Sequence, residues 1–137
     1  MTLALPAVSR LLNEAALPTS DLTPAKLEHF LARGRGDAPE GVVGLELYPP
    51  VALLRSLAVA VSARGQGIGS ALLADAERYA REHQVKQIYL LTTTAERFFA
   101  RAGYERVERD AAPQAIQETQ EFSTLCPASS ALMRKRL

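Results

Sequence analysis

Three glycines in six residues, Arg64-Gly65-Gln66-Gly67-Ile68-Gly69, are the strongest chemical signal in the chain. They stand between a run of β-formers and a stretch with helical apolar spacing. Glycine lets the backbone approach a ligand closely and adopt conformations that side chains forbid. Consecutive backbone N–H groups at a helix N-terminus then receive phosphate oxygens, aided by the helix dipole. Arg64 adds a positive charge beside them. A phosphate or pyrophosphate ligand is expected; the plainer alternative is that the glycines only make a tight turn. A P-loop is excluded, because no lysine occurs between Lys26 and Lys86. A dinucleotide fingerprint fails on spacing: counted from Gly65 its third glycine falls on Ser70, and from Gly67 on Leu72.

Two further residues invite chemistry. Arg55 interrupts an apolar run, and a charge among such neighbours needs a partner. Its fork suits carboxylate, phosphonate or arsinate oxygens of a ligand, or Glu46 across a hairpin, and both readings can hold. Cys126 is the single cysteine, which excludes an intrachain disulfide and any multi-cysteine metal site. Trivalent arsenic prefers several soft thiolates, so Cys126 reads as a packing residue or a loop thiol, with Thr124 and Ser129 as hydroxyls beside it. His29 and His83, the two histidines, read as surface or helix-face residues. No metal is expected.

These residues need elements to position them. Pro6 to Leu17 reads as a helix stopped by Pro18, and Leu22 to Phe30 as a shorter one with Thr23 as N-cap and Pro24 at its first position. Gly34 to Gly41 reads as a loop. Val42 to Tyr48 and Ala52 to Val61 read as strands whose short Pro49-Pro50 connection favours an antiparallel hairpin. In the first of these, Glu46 shares a face with Gly44 rather than with Val43, Leu45 and Leu47. A helix follows the glycine loop to about Gln84, then a strand over Gln87 to Thr92. Thr94 is expected to cap a helix through Ala102, with Gly103 as its C-terminal glycine. Tyr104 to Glu108 reads as a strand, Pro113 to Glu121 as a helix, Leu125 to Ser130 as a loop and Ala131 to Arg136 as a last strand. Arg134-Lys135-Arg136 reads as a solubilising feature of an edge strand. The order predicts a mixed sheet with helices packed on it.

Composition fits one domain spanning residues 1–137. Hydrophobic residues make up 47% and charged ones 23%, which argues against wholesale disorder. Sixteen Lys+Arg against fifteen Asp+Glu leave a net charge of +1, too little basic excess for a dedicated nucleic-acid binder. No apolar run approaches the roughly 18–20 residues of a membrane span, and the N-terminus lacks the charged start of a secretory signal. A cytoplasmic protein without nucleic-acid or membrane partners is expected.

Leu57-Ala58-Val59-Ala60-Val61-Ser62-Ala63-Arg64-Gly65-Gln66-Gly67-Ile68-Gly69 resembles motif A of the GNAT superfamily of N-acetyltransferases. Ala95-Glu96-Arg97-Phe98-Phe99-Ala100-Arg101-Ala102-Gly103-Tyr104 resembles its motif B. Three further segments, Leu53-Leu54-Arg55-Ser56-Leu57, Tyr89 to Glu96 and Phe122 to Ser130 with its Leu-Cys-Pro-Ala-Ser, are similar to the small N-acetyltransferases of bacterial arsenic-resistance operons. The resemblance implies an α/β (α+β) fold: a mixed, mostly antiparallel sheet splayed between two strands, with helices on both faces. It implies acetyl-CoA as cosubstrate and the primary amine of a small amino-acid-like compound as acceptor, by analogy an organoarsenical or phosphinic amino acid. It also implies a homodimer, with the C-terminal strand as one expected contact. A protein or peptide N-acetyltransferase, and a CoA-binding regulatory module without turnover, stand as alternatives.

Carried over residue by residue, the resemblance implies that backbone groups of Leu57, Ala58 and Val59 hold the pantetheine arm. The amides of Arg64, Gly65, Gln66, Gly67, Ile68, Gly69 and Ser70 would hold the pyrophosphate, and Phe98, Phe99 and Arg101 would flank the cofactor. Many family members carry tyrosine where Phe99 stands, and that hydroxyl can protonate the departing sulfur. A thiol with a pKa of about 8.5 leaves readily without such help; water, Ser56 or Thr94 can supply the proton later. A backbone N–H near Val59 would stabilise the oxyanion. Glu46 is the expected proton acceptor, the alternative being a solvent-facing or ion-paired carboxylate. Arg55, Ser56, Thr92, Thr94 and Cys126 complete the expected acceptor site.

Overall fold

The computed structural model describes residues 3–34, 38–126 and 129–137. Arg35–Asp37 of the expected loop and Pro127–Ala128 of the Leu-Cys-Pro-Ala-Ser segment lie outside the described residues.

Helix α1 (Leu5–Glu14) turns Ala7, Val8, Leu11 and Leu12 inward at helical spacing. It ends before Pro18, because Ala16 takes a φ of 56° and Leu17 N–H donates back to the Leu12 carbonyl at 2.9 Å. Thr23 Oγ1 does accept the Lys26 N–H, at 3.2 Å. Only a single 3₁₀ turn, Lys26–His29, follows it, so the expected helix to Phe30 does not form. Phe30 instead opens strand β1 (Phe30–Gly34), which pairs antiparallel with β2 (Pro39–Tyr48). The Phe30 ring lies over Gly44, where no Cβ could fit.

The hairpin of β2 and β3 (Val51–Val59) is antiparallel as expected. Between Val42 and Gly44 of β2, β3 spends an extra residue, and Ser56 there takes a φ of 59°. This bulge reverses the side-chain alternation: Leu54 packs on one face, Arg55 on the other, and beyond the bulge Leu57 and Ala58 do the same. Helix α2 (Ile68–Glu82), β4 (Gln87–Thr92), α3 (Glu96–Arg101), β5 (Glu105–Val107), α4 (Gln114–Gln117) and β6 (Ala131–Arg136) follow. The stretch read as helix to Glu121 breaks after Gln117, and a π turn runs over Glu121–Leu125.

The sheet order is β1-β2-β3-β4-β6-β5, antiparallel except for β3 beside β4. Helices α2 and α3 cover one face, with Val43, Leu45, Leu54, Leu72, Ile88 and Leu90 in that core. The other face is covered by α1, over Val42 and Ala58, and by α4, whose Ile116 packs on Leu53 and Leu132. Strand β6 lies inside the sheet, paired on both sides, so the expectation of an edge strand at the C-terminus is corrected. Its Lys135 is tied to Glu77 at 3.0 Å and to the Ala102 carbonyl at 2.8 Å instead of serving as a solubilising charge.

Candidate active site

The parallel pairing of β3 with β4 covers only Val51–Leu53 against Gln87–Tyr89. Beyond it the strands diverge, and the β4-facing edge of Leu54–Val59 has no strand partner. A cleft of about 1020 Å³ opens between them. One wall is Leu54–Val59; the other is Leu90–Ala95 with Phe98 and Phe99. Arg64 and Gly69 stand at one end, and Ala15–Pro18, Glu121, Leu125, Cys126 and Ser130 line the other. A sheet that loses a pairing in this way exposes main-chain donors and acceptors to an extended ligand.

At the first end the glycine loop turns into α2. Gly65 and Gly67 take φ values of 81° and 78°, and a Cβ at either would meet nothing within 4 Å. Gly67 is the N-cap of α2, and no side chain caps the helix. The first-turn amides therefore lack intrahelical partners and remain available to an anion. Arg64 is exposed and donates to the Val59 carbonyl at 3.2 Å. These features fit a pyrophosphate: open backbone, a helix N-terminus and a free guanidinium edge.

At the second end sits a buried charge cluster. The Arg55 side chain has no exposed surface. Its Nη2 donates to Asp21 Oδ1 at 2.8 Å, its Nη1 to Glu46 Oε2 at 2.8 Å and to Asp21 Oδ2, and its Nε to Ser56 Oγ at 3.0 Å. Glu121 Oε1 stands 3.3 Å from Nη2, the longest of these contacts. Lys26 also binds Asp21, at 2.8 Å. Three carboxylates thus face two cations. Burial pushes the Asp21 carboxyl up, but the hydrogen bonds and charges of Arg55 and Lys26 outweigh it and hold the group at about 2. Burial likewise pushes Glu121 up, and there the opposing Arg55 charge does not cancel it. The Cys126 thiol donates to Glu121 Oε2 at 3.6 Å; burial and the Glu121 charge push it up to about 12, so it is no nucleophile near neutral pH.

The residues singled out in the sequence fall into three groups. Arg55, Ser56, Leu57, Ala58, Val59, Arg64, Gly69, Thr92, Thr94, Phe98, Phe99 and Cys126 line the cleft. Gly65, Gln66, Gly67, Ile68 and Ser70 belong to the turn at its mouth and do not line it, and exposed Arg101 points elsewhere. Glu46 is ion-paired with Arg55, takes the Tyr48 hydroxyl at 2.8 Å and does not line the cleft. Thr94 does not cap α3: its N-cap is Ala95, whose N–H is taken by Thr92 Oγ1 at 3.0 Å. Phe99 is buried against Phe98 and Tyr104 as well as facing the cleft. Sequence reasoning missed Asp21, Glu121 and Ser130. The demand of Arg55 for partners was the one signal for the two carboxylates, and nothing in the sequence singled out Ser130.

Comparison with known proteins agrees with this geometry. The acetyltransferase (GNAT) family model matches residues 8–107. An uncharacterised N-acetyltransferase of Chlorobaculum tepidum is 39% identical over 66 residues, which cover 48% of this chain and 42% of that protein. The chain thus spans less than half the length of the curated relative it matches. Among solved structures, N-acetylglutamate synthase from Neisseria gonorrhoeae, complexed with coenzyme A and N-acetyl-glutamate, superposes with a TM-score of 0.79 at 20% identity, over 96% of this chain and 32% of its own. Rv2747 from Mycobacterium tuberculosis, in complex with CoA, gives 0.76 at 21% identity over 100% of this chain and 98% of its own. With a family match over most of its length and a sheet splayed beside a glycine-built helix start, the chain belongs to the GNAT acetyltransferase family.

Proposed function

We propose that this chain transfers the acetyl group of acetyl-CoA to the primary amine of a small, amino-acid-like acceptor. One observation carries the reading: one cleft runs from an anion-receiving helix start to a charged pocket around Arg55 and Glu121. The pantetheine arm would run along Leu57–Val59, with its phosphates at Arg64–Ser70. The acetyl carbonyl would meet the open edge of β3 near Val59. Such a path leaves the end around Arg55, Ser56, Thr92 and Cys126 for the acceptor. A substrate carboxylate would compete for the Nη2 edge of Arg55, where Glu121 is the most distant partner. The gonococcal synthase, solved with an acetylated amino acid, supports an acceptor of this kind. The likeness of Phe122–Ser130 to arsenic-operon enzymes extends the reading to organoarsenical and phosphinic amino acids.

The test is thiol release from acetyl-CoA against free amino acids, arsenical and phosphinic amino acids, and peptides. Turnover of the amino-acid-like members is expected. Turnover of peptides alone would overturn the acceptor class, and tight acetyl-CoA binding without turnover of any amine would favour a regulatory module, for which Phe99 is the structural pointer.

A further inference from the structure

Three carboxylates surround Arg55, and they differ in what else they meet. Asp21 takes two hydrogen bonds from Arg55 and one from Lys26, and lies outside the cleft lining. Glu46 is held by Arg55 and by Tyr48, and also lies outside it. Glu121 alone among these lines the cleft, and no other Asp or Glu among the described residues does. Its hold on Arg55 is the loosest of the three, and its second oxygen receives only the weak Cys126 S–H donor. A second group in the same cleft is unspent. Ser130 is 4% exposed, and its hydroxyl has no hydrogen-bond partner among the described residues. A buried hydroxyl without a partner costs stability unless something arrives to use it.

We propose that Glu121 is the proton acceptor for the incoming ammonium group and that the Ser130 hydroxyl holds the acceptor beside it. The inference rests on the acetyl-transfer reading and names the groups at its acceptor end. An acceptor arrives as R–NH₃⁺ and is drawn to the surplus negative charge of the cluster. Glu121 takes one proton, which frees the nitrogen lone pair. That pair forms the C–N bond to the acetyl carbonyl carbon; the C–S bond breaks, and its electrons leave on sulfur. The thiolate takes the second N–H proton, and Glu121 releases its own to solvent. Arg55 does not move a proton: it keeps Glu121 charged and placed, as a positioning residue. Cation and anion side by side also complement the adjacent carboxylate and ammonium of one amino acid. Glu121 is suited to the task because burial raises its proton affinity towards that of an amine.

The groups facing Glu121 are Arg55 from β3, Glu46 from β2, Asp21 from the α1–β1 connection and Cys126 from its own turn. On this assignment the acid limb of kcat/KM reports the Glu121 carboxyl, and Glu46→Gln should leave that limb in place. Glu121→Gln should lower kcat about 100-fold and abolish that limb, while acetyl-CoA affinity stays unchanged. Ser130→Ala should raise the acceptor KM about tenfold with a smaller effect on kcat. Wild-type kcat and an intact acid limb in a folded Glu121→Gln protein would overturn the assignment. Carbon-13 NMR of the glutamate carboxyls, assigned by the same variant, gives a readout that needs no acceptor. A Glu121 carboxyl titrating above the ordinary glutamate range supports the assignment, and one titrating at or below it overturns it. Failure of the wild-type enzyme on every amine would sink the proposed function, whereas wild-type turnover that survives intact in Glu121→Gln would sink the Glu121 assignment alone.

Discussion

Arg55 stabilises the fold less than its bonds suggest, because desolvating a guanidinium and three carboxylates offsets most of their attraction. Removing it alone is another matter. Arg55→Ala would leave buried Glu121 and half-buried Glu46 without their cation and Asp21 with Lys26 alone, at a cost of about 3–5 kcal/mol. Urea titration near neutral pH should show this loss. Asp21 supplies a pH signature of its own. Its folded value of about 2 lies below the ordinary 3.8. Its contribution, roughly 2 kcal/mol, is therefore present above pH 4 and lost as pH falls towards 2. Glu121 acts with the opposite sign: its carboxyl is raised in the fold, so protonation on acidification favours the native state. The difference in stability between wild type and Asp21→Asn, followed from pH 6 to pH 2, should shrink on the acid side. A difference that stays flat would mean Asp21 is not held down. At this scale the sequence was partly legible. Glu46 and Arg55 share a face of one hairpin, so their pairing could be read from alternation. Asp21 lies 34 residues upstream, and Glu121 arrives on a π turn. No local pattern couples either to β3.

The same contrast between local and non-local information governs the elements. Helix α2, strands β4 and β6 and the β2–β3 hairpin came directly from periodicity, capping and turn residues. Strand β1 did not. Its first residue looked like the end of a capped helix, and what makes it a strand is Gly44 across the sheet, which leaves room for the Phe30 ring. A methyl group on Gly44 would fall on Phe30 Cε1 and Cζ. Gly44→Ala should destabilise the fold by about 1–3 kcal/mol. In the same background Phe30→Leu should recover part of that loss. Strictly additive losses in denaturant titrations would show that Phe30 is not the obstacle. The β3 bulge was equally hidden, although the site depends on it: without the extra residue at Ser56, Arg55 and Ala58 could not both face α1.

On the scale of the whole molecule the sheet is two three-stranded halves, β1-β2-β3 and β4-β6-β5, joined by three residue pairs at one end. Beyond Leu53 the halves are held by α2, α3 and the buried charge cluster rather than by main-chain bonds to each other. A ligand lying in the cleft would reconnect them, bonding to the free edge of β3 while its phosphates sit on the start of α2. Binding to the folded state alone adds RT ln(1 + [L]/Kd), about 2.7 kcal/mol at a hundredfold excess over Kd. Coenzyme A should therefore raise the melting temperature and slow amide exchange at Leu54–Val59 and Leu90–Thr92, on both sides of the gap. Gly67→Asp isolates the loop's part in this. Aspartate tolerates the left-handed φ of 78° there, and its Cβ meets nothing within 4 Å, so the variant should fold. Its charge would stand where the pyrophosphate is expected, and both the thermal shift and the exchange protection should vanish. A folded Gly67→Asp protein that coenzyme A still stabilises fully would place the phosphates elsewhere, and with them the direction in which the thioester enters the cleft.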